Sequence, residues 1–230
     1  MNLKNEDLNL ILSMPKEHCF DLLSNLLISK SQIKQDLFVL SQTNFKRKGF
    51  FVDFGASNGI DLSNSYLLEK NYDWQGILAE PCRIWHESLF ENRKVAIETK
   101  CVWKKSNQKL LFNQTNYAEL STIDDFSAKD SHAQYRQGGL IYEVETISLN
   151  DLLAKYNAPY QIDYLSIDTE GSELDILENF NWDRYSFEAI TVEHNYTINR
   201  EKIYRLLENK GYKRKFVEFS LFDDWYVKNY

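Results

Sequence analysis

A chain of 230 residues with 43% hydrophobic residues and a net charge of −7 has the material for one folded domain, or a domain with a short appendage, and its acidic balance argues against nucleic acid or any polyphosphate held by charge alone. Aromatic residues at 14% and charged residues at 27% exclude wholesale disorder, because enough apolar surface is available to offset ordering entropy. Cys19, Cys82 and Cys101 are odd in number and contain no CxxC pair, which argues against a disulfide framework and a cysteine-rich zinc site.

Residues 6 to 40 carry apolar residues at irregular three-to-four spacing, from Leu8 through Phe20 and Leu23 to Leu40, and predict one or two helices. We read residues 1–44 as a helical cap packed on the core, in preference to an arm for homodimerisation. Acids and a proline stand where a signal peptide needs a basic start and an unbroken apolar centre, and no apolar stretch approaches the ~20 residues of a membrane span, so a cytoplasmic location and no membrane span are expected. The polar run from Ser41 to Gly49 is a linker, and a second domain segment, 45–230, follows it.

From residue 50, short apolar runs alternate with amphipathic stretches. Phe50 to Phe54, Gly76 to Ala79, Val95 to Val102, Tyr164 to Ile167 and Phe187 to Val192 predict strands. Helices are expected from the Gly55–Gly59 segment through Lys70, about Arg83 to Phe90, from Ser172 to Asn179 and from Arg200 to Asn209. Such alternation means an α/β fold with a mostly parallel sheet and helices on both faces. Gly211 to Phe219 and Asp224 to Val227 are too close for a parallel crossover, so the sheet ends in an antiparallel hairpin. Between the halves, Lys104 to Tyr142 is polar and too long for a structureless loop, and we expect a partly ordered lid or substrate-facing insertion.

Asp53-Phe-Gly55-Ala56-Ser-Asn58-Gly59 joins a strand to a helix, where glycines admit close ligand approach and a helix N-terminus offers free amides. Ser57 stands where the dinucleotide GxGxxG needs its second glycine. Glu80, followed by Pro81, ends the second strand and suits the two hydroxyls of a ribose; together with the glycine turn it suggests an adenosine-containing cofactor. Asp168 and Glu170 follow the strand ending at Ile167, and His194 follows the next, so all three are expected in the crevice at the carboxyl ends of the strands. Glu173 is expected only to favour a helix dipole. Tyr66 and Lys70 match a dehydrogenase YxxxK pair, but their helix packs on the sheet away from that crevice.

From about Ser31 onward the chain resembles the FkbM family of S-adenosylmethionine-dependent methyltransferases. The resemblance rests on GFFVDFGASNG at 49–59, the LAEP around Glu80, VETISLNDLL at 144–153, IDYLSIDTEGSELDIL at 162–177 and VEHNY at 192–196. It implies a class I methyltransferase, Rossmann-like fold with a seven-stranded sheet whose final strand is antiparallel. It implies O-methylation, commonly of sugar hydroxyls in polysaccharides or of hydroxyls in natural products. By the same resemblance, Asp53, Gly55, Ala56, Asn58 and Gly59 hold the methionine part, Glu80 with Pro81 the ribose, and Cys101, Val102 and Trp103 lie near the adenine. Asp168 then lies near the amino group and sulfonium.

A sugar hydroxyl is a poor nucleophile until its proton is taken, so a base contributes, and His194 is expected in that role with Glu170 as its partner or as the base itself. Asp168, Glu170 and His194 holding a divalent cation is the second route, ranked slightly behind a metal-independent one. A nicotinamide-dependent oxidoreductase and a non-catalytic domain binding cofactor or glycan are the competing readings.

Overall fold

The computed structural model describes residues 5–229. Three helices open the chain: α1 (Asn5–Ser13), α2 (Cys19–Leu26) and α3 (Gln35–Gln42). The first βαβ units follow as β1 (Phe50–Phe54), α4 (Tyr66–Tyr72), β2 (Gln75–Ala79), α5 (His86–Asn92) and β3 (Ala96–Glu98). A second group comprises β4 (Cys101–Trp103), β5 (Lys109–Gln114), β6 (Thr122–Ile123) and β7 (Leu140–Ser148). The chain then runs through α6 (Leu149–Lys155), β8 (Gln161–Ile167), α7 (Glu173–Glu178), β9 (Ser186–Glu193), α8 (Asn199–Asn209), β10 (Tyr212–Lys215) and β11 (Asp223–Lys228).

The main sheet has seven strands in the order β10-β11-β9-β8-β1-β2-β3. Strands β3, β2, β1, β8 and β9 are mutually parallel, while β11 inserts antiparallel to both β9 and β10. This is the class I methyltransferase arrangement. The central strands β1 and β8 are buried on both faces, which is why they read as continuous apolar runs rather than alternating ones. One face of the sheet packs Leu152, Leu177, Ile203 and Leu207 of α6, α7 and α8. The other packs α3 and α4, and α3 is buried all round: Leu37, Phe38, Val39 and Leu40 have no exposed surface, and Phe38 stacks on Trp225 of β11 at 4.9 Å. Residues 1–44, as far as described, thus share the sheet's core, while Phe20 and Leu23 of α2 face solvent.

Residues 104–142 contain β5 and β6, which with β4 and β7 form a second sheet of four strands in the order β4-β7-β5-β6. It closes over a small core of Cys82, Cys101, Trp103, Phe112, Ile123 and Phe126.

Three expected boundaries differ. The run Val95 to Val102 is two strands: Glu98 Oε1 accepts the Lys100 amide at 3.1 Å, turning the chain so that β3 joins the main sheet and β4 the second. The helix after the glycine turn starts only at Tyr66, because Asn58 Oδ1 accepts the amides of Ile60 and Asp61, both at 2.9 Å, and Ser63 Oγ accepts that of Tyr66 at 3.1 Å. Those side chains offer the backbone an alternative to helix. The strand expected to reach Phe219 stops at Lys215, since Phe216 adopts a left-handed conformation (φ 52°) and its ring packs against Phe38 and Trp225.

Candidate active site

The carboxyl ends of β1, β2, β8 and β9 open on a cavity of about 320 Å³, roofed by the turn of residues 118–121 and by His132 of the second sheet's long connection. Asp53, Gly55, Glu80, Pro81, Cys101, Val102, Asp168 and Glu170 all line it. Ala56, Asn58, Gly59, Trp103 and His194 do not.

The glycine turn is braced from beneath. Glu80 Oε2 accepts the Ser57 amide and Oε1 the Cys82 amide, both at 2.8 Å, tying the turn to the end of β2. Burial pushes the Glu80 carboxyl up to about 7. Asp53 accepts from Ser65 Oγ at 2.6 Å, and burial raises it as well, against the pull of that bond and of the Arg93 guanidinium. Arg93 is fully buried, bonding Glu69 at 2.5 Å, Ser65 Oγ at 3.0 Å and the Gly59 carbonyl at 3.1 Å. Gly55 is required by the neighbouring strand: at φ +77° its added Cβ would lie 2.1 Å from the Asp168 carbonyl oxygen. Asn58 shapes the turn rather than facing the cavity, and Trp103 packs edge-on to Phe126 at 5.9 Å in the second sheet's core.

His194 lies behind the site. Adjacent strand residues face opposite ways, so Glu193 at the end of β9 takes the cavity side and His194 the other. Its side chain is 1% exposed, its Nδ1 accepts the Tyr196 amide at 3.0 Å, and its Nε2 is 3.8 Å from Asp224. Burial lowers its pKa, and Asp224 is already paired with Arg200 at 2.8 Å and Arg214 at 3.0 Å. The expected base is therefore misplaced, and so is a cation set containing His194. Tyr66 and Lys70 of α4 also lie outside the cavity, with Lys70 paired to Glu69.

At the acid end, Glu193 enters the cavity rather than its neighbour His194. Glu193 Oε2 is buried without a hydrogen-bond partner. Burial raises Asp168 and Glu193 well above the usual carboxylate range. Asp223 of β11, pushed to about 7 by burial, accepts from Gln35 Nε2 of α3 at 2.9 Å. Glu173 is a brace rather than a dipole partner: its Oε1 accepts from the amides of Thr169 and Gly171 and from Thr169 Oγ1 at 2.9–3.0 Å, fixing the loop that carries Glu170. Glu170 Oε2 receives Arg136 at 2.6 Å and Asn195 at 3.2 Å, and His132 Nδ1 stands 3.5 Å away. Arg136 is fully buried between Glu170 and Asp130, so it anchors the connection and is not free to meet a substrate. Glu170 raises the His132 pKa above its ordinary value. Strand alternation at 193 and 194 was the available signal for Glu193; Gln35 reaches the cavity, and Asp223 and Asp130 reach Gln35 and Arg136, only through tertiary packing.

The family model described as "Methyltransferase FkbM domain" matches residues 53–214. The chain belongs to the FkbM methyltransferase family. As an FkbM methyltransferase it transfers methyl groups from S-adenosylmethionine, and the nicotinamide reading falls away. No curated protein matches it. Among solved structures it is similar to an FkbM methyltransferase from Methylobacillus flagellatus KT, with 11% identity over 96% of this chain and 58% of that one and a TM-score of 0.49. It is also similar to a precorrin-6y C5,15-methyltransferase from Geobacter metallireducens GS-15 (13% identity, 84% and 87% covered, TM-score 0.41). A TehB-like S-adenosylmethionine-dependent methyltransferase from Corynebacterium glutamicum is a third (9% identity, 93% and 97% covered, TM-score 0.43). Among the described residues no helix is long and apolar enough to cross a membrane.

Proposed function

We propose that this methyltransferase is an O-methyltransferase acting on a hydroxyl of a neutral polyol, a sugar of a glycan or a related natural product. The observation that carries this reading is the charge of the cavity: no Lys or Arg lines it among the described residues, while Asp53, Glu80, Asp168, Glu170 and Glu193 do. Acids suit a cationic cofactor and hydroxyl donors; an anionic acceptor meets no Lys or Arg side chain there.

The residues present fit the cofactor. Carboxylates of Glu80 and Asp168 face the cavity for a ribose and a cationic centre, and Cys101, Val102, Phe112 and Ile123 give an apolar wall for a purine. When bound, S-adenosylmethionine supplies a methyl group already activated on sulfur, so the protein's task is to orient an acceptor oxygen and exclude water. Glu80 and the braced turn would hold the cofactor's ribose and methionine ends, and the acids that line the cavity would offset its positive charge. The structured connection over residues 118–132 covers the cavity and limits water.

His132 would take the hydroxyl proton of the acceptor as its oxygen is methylated. That imidazole lines the cavity, with its Nδ1 turned to Glu170 and its amide fixed by Asp130 Oδ1 at 2.8 Å. A carboxylate beside Nδ1 orients the ring and stabilises the imidazolium, and apo geometry of this kind tightens in the complex.

Radiolabelled S-adenosylmethionine offered with neutral, carboxylated and phosphorylated sugars tests the reading. Label on neutral sugars, at an ether oxygen by NMR, is expected. Label only on anionic acceptors or on nitrogen defeats it. Calorimetry is expected to show S-adenosylhomocysteine binding and no NAD binding.

A further inference from the structure

We propose that Asp168, Glu170 and Glu193 bind a hard divalent cation, Mg²⁺ or Mn²⁺, at the acid end of the cavity. Each offers a carboxylate oxygen, and the three oxygens lie within 4.8 Å of one another. The sheet imposes this juxtaposition. β8 and β9 are parallel with Ile167 opposite Val192, so the next residues, Asp168 and Glu193, leave the sheet side by side. Glu170 is turned back towards them by the loop that Glu173 braces, with Glu170 itself in a left-handed conformation (φ 58°).

A cluster of acids alone would say little; the state of Glu193 says more. It is only 6% exposed, it lines the cavity, and its Oε2 has no hydrogen-bond donor. Buried carboxylate oxygens are ordinarily satisfied, and one without a donor beside two other acids is an open ligand position that a cation can fill. Among the described residues no Lys or Arg forms an ion pair with Asp168 or Glu193. The one guanidinium that reaches the cluster, Arg136, is spent on Glu170 Oε2 and Asp130. An all-oxygen donor set suits a hard cation such as Mg²⁺ or Mn²⁺, and three carboxylates leave positions for water and for an acceptor hydroxyl. The second triad, Asp130, His132 and Glu170, already contains Arg136 between two of its acids and is a poorer cage.

Cation binding stands independently of the acceptor; its catalytic role rests on the O-methyltransferase reading. There the ion would bind the acceptor oxygen, lower the hydroxyl's pKa and so ease proton loss to His132.

The test is Mn²⁺ binding to the full chain, followed by paramagnetic resonance and calorimetry, with and without saturating S-adenosylhomocysteine. One ion per chain is expected, bound equally well or better with S-adenosylhomocysteine, and displaced by Mg²⁺. Glu193→Gln and Asp168→Asn should each weaken it about tenfold or more while melting as cooperatively as the wild type. Three results would overturn the proposal: no ion bound at about 10 mM metal, wild-type affinity in both variants, or displacement of Mn²⁺ by S-adenosylhomocysteine. The last would make the cluster the seat of the cofactor's own ammonium group. Failure of S-adenosylhomocysteine to bind, with Mn²⁺ still held, would instead count against the cofactor assignment.

Discussion

The two halves of the main sheet present acids to the same cavity under opposite conditions. On the β1–β2 side each carboxylate has internal partners: Glu80 holds two backbone amides, Asp53 holds Ser65, and the Arg93 network closes behind them. On the β8–β9 side Asp168 and Glu193 adjoin one another without a cationic side chain, and Glu193 Oε2 has no donor. A satisfied set of polar groups is rigid without its ligand, whereas an unsatisfied one is stabilised by what binds to it. The first half is a preformed cradle; the second is completed by positive charge.

The largest effect is expected where the halves touch. Gly55→Ala puts a Cβ against the Asp168 carbonyl at positive φ and should cost about 3 kcal/mol of stability or more, read from denaturant unfolding. A variant that unfolds like the wild type would show that the halves are not rigidly coupled.

Next comes His132→Gln, which should lower methyl transfer to a neutral acceptor about 10²-fold while leaving S-adenosylhomocysteine affinity within about twofold. Because Glu170 raises the His132 pKa, wild-type activity should fall as pH drops through a value above the ordinary histidine range, and Glu170→Gln should move that limb to lower pH. An unmoved limb in Glu170→Gln breaks the pairing.

A smaller effect concerns stability. Glu80 and Asp223 titrate near 7 in the fold, against 4.5 and 3.8 ordinarily, so between those values and 7 the folded chain keeps protons that the unfolded chain has released. Their favourable contribution is present below the unfolded values and lost as pH rises through about 7. The melting temperature in EDTA should therefore fall from pH 5 to pH 8, and Glu193→Gln, which removes a buried carboxyl without a donor, should raise the unfolding free energy at pH 8 by about 1 to 2 kcal/mol. Added Mn²⁺ should erase that advantage. The least effect is expected from His194→Ala, whose turnover should stay within about twofold of wild type, since the imidazole faces Asp224 and not the cavity.

The parallel core was legible because β1, β8 and β9 are buried on both faces and leave uninterrupted apolar runs. The strand-end acids Glu80, Asp168 and Glu170 were legible because ligands gather at carboxyl ends. What misled was proximity in sequence. Glu193 and His194 are neighbours along the chain, and a histidine beside acids resembles a base, yet the two-residue period of β9 sends them to opposite sides. Trp103 was assigned to the cofactor by family likeness, and the second sheet draws it into a separate core. Local pattern hid β5, whose KLLFNQ run has no apolar–polar alternation, and β6, which is only two residues long.

By itself the sequence determined the α/β alternation, the closing hairpin, the glycine turn and the acids at the strand ends, because each is a local pattern of apolar period, turn residues or position relative to a strand. Tertiary structure alone decided which histidine meets the cavity, which arginine steadies Glu170, and that Gln35 of an N-terminal helix reaches Asp223 across the chain. Those contacts join residues up to 188 positions apart, where no local pattern reports and only the packing of the layers brings side chains within bonding distance.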